Sequence, residues 1–285
     1  MSLYTYLVAV VSLDPEPIVE RIIHRLVRKH IAGTTMDSAL EVARNLNSKN
    51  IPASLTFLSS NVTDRAKAKY ITTTYSELVR RIARSGIKAG VHVGLEQLGS
   101  GIGSDIALEN FKEIVEVGNK YGVFLWADTD GMPASAISPI AKMKGVGLVV
   151  DRNKAADYAR HGATAGAVKL MFKDYSPDGK DDIIKRIESL KKSFPSIVLS
   201  NLPDKSVSQV LRSRHKSDVC MEFEFGYSEK KIGKAIKRGA KVSVLVPFGK
   251  DWIKYAMNNA PEGYMRFVAG RLLKEGNMND TQDKR

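Results

Sequence analysis

The stretch Met221-Glu222-Phe223-Glu224-Phe225 alternates apolar and acidic residues, so in a strand its two glutamates share one face and the apolar side chains share the other. Glu96, Asp128, Asp130, Asp151 and the pair Ser200-Asn201 fall at or near the ends of other apolar runs. Together they describe an acidic mouth on a basic protein. That mouth suits a cation or an amine; the plainer reading is a polar, hydrated rim. Metal and nucleophile chemistry are weakly marked, and no metal is expected. His24, His30, His92, His161 and His215 offer no pair at ligand spacing near that mouth, and His92, inside an apolar run, reads as a satisfied core histidine. The single cysteine, Cys220, excludes an intramolecular disulfide and a Cys-based metal cluster, and fits a reducing cytosol. Gly99-Ser100-Gly101-Ile102-Gly103 lacks the lysine and the spacing of a phosphate-binding P-loop and reads as a plain loop.

The elements that must position these residues recur in a fixed rhythm. Apolar runs rich in Val, Ile, Leu and Phe occur at Ile51–Leu58, Gly90–Leu95, Val123–Ala127, Val146–Val150, Gly166–Met171, Ser196–Ser200, Val219–Phe225 and Lys241–Phe248. Segments of helical period lie between them, such as Ala107–Val115 and Ile183-Ile184 with Ile187 and Leu190. Glycines at 86, 122, 145 and 239 precede the next strand. Eight buried strands alternating with helices in 285 residues predict an α/β protein of the (β/α)8 TIM-barrel type. A doubly wound sheet would need a Gly-rich fingerprint after its first strand, which is missing. The expected layout is an N-terminal helical segment over 1–34, the barrel over 35–275 and a polar, disordered tail over 276–285. One or two helices precede the first strand, over Asp14 to Ala32 and Met36 to Lys49, the second capped by Thr35. In such barrels chemistry sits at the C-terminal strand ends, where the acidic residues fall.

Val244-Leu245-Val246-Pro247-Phe248-Gly249-Lys250-Asp251-Trp252-Ile253-Lys254-Tyr255 resembles the last strand and following helix of the proline dehydrogenase family. Ala32-Gly33-Thr34-Thr35-Met36-Asp37 is similar to that family's entry into its first barrel helix, and Ala107-Leu108-Glu109-Asn110-Phe111 to one of its helix starts. Val168-Lys169-Leu170-Met171-Phe172-Lys173-Asp174 stands in its strand-five position. The resemblance spans about Ala32 to Leu273. It implies a TIM barrel and FAD-dependent oxidation of L-proline to 1-pyrroline-5-carboxylate. It also implies Asp128, Lys169 and Glu262 as catalytic residues and Ser200 in place of a flavin-contacting threonine. Several positions depart from the family. Gly94 stands for a lysine, Asp151 for a flavin-contacting glutamine, Gly166 for the arginine beside the flavin ring, and Asn201 for a histidine. Phe172 and Phe225 replace pocket tyrosines, Asn258 and Asn259 the arginine pair that grips the substrate carboxylate, and Gly263 a further arginine. Neutral amides do not restore a bidentate carboxylate clamp. The family reaction is therefore expected to be weak, altered in substrate or lost, with FAD present only if its site is retained and a small imino acid or amine as ligand.

Lys and Arg number 44 against 31 Asp and Glu, a net charge of +13. This fits either a solvated basic surface or a polyanionic partner. Lys230, Lys234, Lys237 and Lys241 at helical spacing, with Lys231 and Arg238 alongside, make a stripe suited to RNA or a ribonucleoprotein such as the ribosome. Arg21, His24, Arg25, Arg28, Lys29 and His30 add a second basic face. A non-catalytic, RNA-binding barrel is thus the alternative function, and a structural partner of an active homologue a third. The apolar run Leu3 to Leu13 is too short to span a bilayer and lacks the basic start of a signal peptide, so a cytoplasmic protein without a membrane span is expected.

Overall fold

A computed structural model describes residues 30–59, 62–130, 132–151, 166–172 and 183–252. Within them, eight parallel strands close into a barrel in chain order. They are β1 (Ala53–Phe57), β2 (Ala89–Gly94), β3 (Leu125–Asp128), β4 (Val146–Asp151), β5 (Ala167–Met171), β6 (Ser196–Ser200), β7 (Val219–Glu224) and β8 (Lys241–Phe248). Seven α-helices are described: α1 (Met36–Ser48), α2 (Arg65–Ser85), α3 (Ser104–Tyr121), α4 (Ala134–Ala141), α5 (Ile183–Leu190), α6 (Asp204–Arg212) and α7 (Glu229–Lys237). The expected (β/α)8 architecture is what forms, and each apolar run becomes a strand within a few residues of its expected ends. The first N-terminal helix and the tail lie outside the described residues.

Local signals explain where the helices begin and end. Thr35 accepts from the Ser38 amide at 3.2 Å and opens α1, and Asp64 accepts from the Lys67 amide at 2.8 Å and opens α2. Gly86 and Gly122 close α2 and α3 in the left-handed conformation, at φ 65° and 70°. The apolar faces of these helices then bury against the barrel, as with Ile71, Tyr75, Leu78 and Ile82 on α2 and Phe111 and Ile114 on α3.

Strand alternation divides the core into two layers. Outward-pointing residues such as Leu55, Val91, Leu125, Leu148, Val168, Leu199, Met221 and Val244 join the large cluster shared with the helices. Inward-pointing residues form a much smaller apolar group of Trp126, Val149, Ala167 and Val198, edged by Met171 and Cys220. Gly147 makes space for Trp126: a Cβ there would lie 2.5 Å from the indole. Most of the remaining inward positions are polar, including Ser54, Thr56, His92, Asp128, Lys169, Ser200, Glu222 and Glu224, with Leu245 and Pro247 of β8 among the exceptions. The lumen is thus a packed interior containing charge, and its upper end is the mouth.

The barrel closes where β1 pairs with β8, from Ala53↔Val244 to Phe57↔Phe248. Beyond the pair, Leu58 donates to the Phe248 carbonyl at 2.7 Å and Gly249 to the Gly33 carbonyl at 3.0 Å, tying the seam to the segment ahead of α1. Gly249 holds φ 137°, and a Cβ would meet the Leu58 carbonyl oxygen at 2.5 Å. Gly249→Ala should therefore lower stability by about 1–3 kcal/mol or more, read as a drop in the urea midpoint. An unchanged midpoint would mean that the seam adapts at this position.

Candidate functional site

On β5 the sequence Ala-Val-Lys-Leu-Met sends Val168 and Leu170 outward and Lys169 into the lumen; on β7 Met221 and Phe223 go outward and Cys220, Glu222 and Glu224 inward. Two strands away from each other, Lys169 and Glu222 meet. The Lys169 ammonium donates to Glu222 Oε1 at 2.7 Å, and both side chains are essentially sealed from solvent, at 0% and 1% exposure. Ser200 on β6 donates to Glu222 Oε2 at 3.0 Å, and the Ser54 hydroxyl of β1 also hydrogen-bonds the carboxylate. Trp126 lies beneath the ammonium, 4.7 Å from nitrogen to ring centroid. The carboxylate thus has three donors and the ammonium has a carboxylate and an aromatic face. That degree of satisfaction allows an ion pair to exist in a dry interior.

The pair sets the electrostatics around it. Burial pushes the Glu222 carboxyl up, but the charge and hydrogen bond of Lys169 outweigh this and hold it below the usual glutamate range. Two residues nearer the mouth, Glu224 is raised from 4.5 to about 7, first by burial and then by the negative charge of Glu222. Burial also pushes the Cys220 thiol up, with its Sγ 3.5 Å from the Ser243 hydroxyl, so it is no thiolate nucleophile.

A second polar group stands at the ends of β2 and β3. His92 Nε2 lies 3.3 Å from Asp128 Oδ2, while His92 Nδ1 is buried without a hydrogen-bond partner. His92 is therefore buried, as the sequence implies, but only partly satisfied. Gly94, Glu96, Asp128 and Asp130 line a small cavity of about 80 Å³. Behind it, Tyr75 donates to Gln97 at 2.6 Å, and Gln97 donates to the carbonyls of Phe57 and Ser59 at 3.0 and 3.1 Å, bracing the β1 and β2 ends together. Among the described residues, no three His, Cys, Asp or Glu are grouped to hold a metal ion, and no helix is long and apolar enough to cross a membrane.

The structure brings together only some of the residues singled out by sequence. Lys169, Ser200, Glu222 and Asp128 share the lumen. Asp151 ends β4 at the mouth, half-buried, and Asn201 follows β6, exposed and in the left-handed conformation at φ 59°. Gly166 precedes β5 at the opposite end of the barrel and is exposed, so it does not join the mouth. Phe172 belongs to the outer core cluster and Phe225 packs against it, so neither wall of the expected aromatic pocket faces the lumen. A strand's two-residue period is the reason: Phe172 is three residues from Lys169, and Phe225 is three from Glu222. Asn258, Asn259 and Glu262 lie outside the described residues. On α7, Lys230, Lys231, Lys234, Lys237, Arg238 and the following Lys241 are all exposed. Lys231 pairs with Asp204 at 2.5 Å; the other five make no ion pair among the described residues. Trp126 and Ser54 are the residues that sequence reading missed, although Trp126 sits two residues before Asp128 and so shares its face.

The chain is 20% identical over 275 residues to proline dehydrogenase 1 of Bacillus subtilis, covering 87% of this chain and 91% of that protein. It is 23% identical over 313 residues to proline dehydrogenase of Deinococcus radiodurans, covering 94% and 98%. The chain is a divergent, proline dehydrogenase-like protein. No family model matches it. The barrel superimposes on proline utilization A (PutA) from Bdellovibrio bacteriovorus inactivated by N-propargylglycine with a TM-score of 0.66, at 14% identity and covering 84% of this chain. For PutA from Corynebacterium freiburgense the TM-score is 0.61, at 12% identity and covering 90%. This proline dehydrogenase-like chain spans about a third of the length of those two structures, 33% and 35%.

Of the described residues that the resemblance places near FAD, Lys169 and the Ser200 hydroxyl are both engaged by the Glu222 carboxylate, and Gly166 lies at the end of β5 away from the mouth, so these positions do not form a cofactor cradle.

Two consequences can be measured. Lys169→Met leaves Glu222 buried and unpaired and should cost about 3–5 kcal/mol, whereas Lys169→Met/Glu222→Leu should recover most of it. A double variant as unstable as the single one in urea unfolding would place the loss elsewhere. For Glu224, the folded protein binds the proton more tightly than the unfolded chain, so stability falls as pH rises from 4.5 to about 7. Glu222 has the opposite sign: its contribution is present above its unfolded value and lost as pH falls through its depressed folded value. Glu224→Gln should flatten the decline between pH 4.5 and about 7 in a series of urea midpoints; an unaltered slope would rule Glu224 out as its source.

Proposed function

We propose that the chain is a proline dehydrogenase-like barrel in which the family reaction, FAD-dependent oxidation of L-proline to 1-pyrroline-5-carboxylate, is weak, altered in substrate or lost. The observation that carries this reading is the capture of Lys169, the counterpart of the family's strand-five lysine, by Glu222 at 2.7 Å in a sealed lumen. An ammonium so engaged has no free charge to offer a cofactor phosphate or a substrate carboxylate. Asn258 and Asn259 in place of the arginine pair act in the same direction. Retained chemistry would centre on Asp128, Lys169 and Glu262, with Asn258 and Asn259 contacting a small imino acid or amine. The His92–Asp128 pair and Glu224, whose carboxyl titrates near neutral pH, are the groups able to hold or exchange a proton at the mouth.

A second reading, a basic barrel that retains RNA or a ribonucleoprotein, rests on one observation. Lys230, Lys234, Lys237, Arg238 and Lys241 are exposed and make no ion pair among the described residues, the state in which basic side chains contact phosphates. One experiment separates the two readings: an absorption spectrum of the full chain purified at low salt, followed by added FAD and L-proline under anaerobic conditions. The expected result is no flavin band and no proline-dependent bleaching of added FAD. A stoichiometric flavin reduced by proline would overturn the proposal, and nucleic-acid absorbance lost on a high-salt wash would favour the second reading.

A further inference from the structure

The donors around Glu222 have the form of a ligand site. An ammonium from β5, a hydroxyl from β6 and a hydroxyl from β1 converge on one carboxylate, with Trp126 closing the space beneath the ammonium and Val149, Ala167 and Val198 grouped with it in the lumen. Three positive or polar donors on one carboxylate are what a protein supplies to an acid from solution. Here the acid belongs to β7.

We infer that Lys169, Ser200 and Ser54 form a carboxylate receptor that Glu222 fills from inside the barrel, and that this tethered carboxylate keeps external anions away from Lys169. The inference deepens the proposed function and rests on it only for the expected absence of flavin. A carboxylate held by two methylenes on a rigid strand competes at an effective concentration that no millimolar solute matches. Glu222 is sealed in place at 1% side-chain exposure, so an incoming anion would have to displace it against full burial. Glu224 stands in line above it on β7, and its carboxylate form repels a second anion as pH passes about 7. The ligands left to the mouth are neutral or cationic small molecules, the class that Asp128, Asp130 and Glu96 around their small cavity also favour. Glu222 is thereby a specificity-determining residue: it decides which charge the lumen admits without itself touching the ligand.

The test removes the tether and keeps the receptor. In Glu222→Ala, formate or acetate can enter the space beside Lys169, so the variant should show a saturable rise in Tm with formate that equal concentrations of chloride do not produce. Wild type and Lys169→Met/Glu222→Ala should show no formate-specific rise, because the receptor is full in one and uncharged in the other. If Glu222→Ala does not fold in chloride, the quantity read is its refolding yield, which formate should restore and chloride should not. A Glu222→Ala variant that responds equally to formate and chloride, or a wild type that responds like the variant, would overturn the inference. A stoichiometric flavin reduced by proline in the wild type, measured on the same samples, would overturn the proposed function instead; the formate result judges the receptor alone.

Discussion

The arrangement of this barrel depends on one buried ion pair. Bringing Lys169 and Glu222 into the lumen removes two charges from water, and each alone would be strongly unfavourable there. Together they require the surroundings they have: Ser200 and Ser54 to complete the carboxylate, Trp126 to face the ammonium, and Gly147 to leave room for the indole. The polar lumen is therefore a set of mutually dependent positions on β1, β3, β4, β5, β6 and β7, and closure of the barrel holds them in register.

The fold and the lumen chemistry rest on different faces of the same strands. The outer core between strands and helices does not involve the pair, since the residues that stabilise it point the other way along each strand. The strand pattern, helix caps and β1–β8 seam can be kept while inward positions are exchanged. The similarity to the proline dehydrogenases of Bacillus subtilis and Deinococcus radiodurans, at 20% and 23% identity, runs over 87% and 94% of the chain. The outward half of each strand builds the packed shell, and the inward half carries the lumen's chemistry.

The charge balance inside and outside differs in sign. Among the described residues the row on α7 is exposed and basic, whereas the mouth collects Glu96, Asp128, Asp130, Asp151 and Glu224. Glu222 adds no net negative charge to the lumen because Lys169 cancels it, yet, after burial, its charge still helps raise the neighbouring Glu224 to about 7. A group two residues along the same strand face is near enough to feel one member of the pair more than the other.

Much of the fold was legible in the chain because it rests on local rules. The eight apolar runs, Thr35 as a cap and glycines 86 and 122 as helix ends express backbone preferences and one-dimensional periodicity, and the alternation of Met221 to Phe225 correctly placed Glu222 and Glu224 on one face. Parity along a strand is also a sequence property, and applying it to Phe172 and Phe225 would have turned both away from the lumen. What the chain alone could not express is which inward residue meets which. Lys169 and Glu222 are separated by 53 positions, and the partner of each is set by how two non-neighbouring strands face one another across a closed barrel. The sequence by itself determined the barrel and the acidic mouth; only the tertiary structure decided that the acid meant for a ligand is already bound to the protein's own lysine, because distance in space across a closed sheet is not encoded in local pattern.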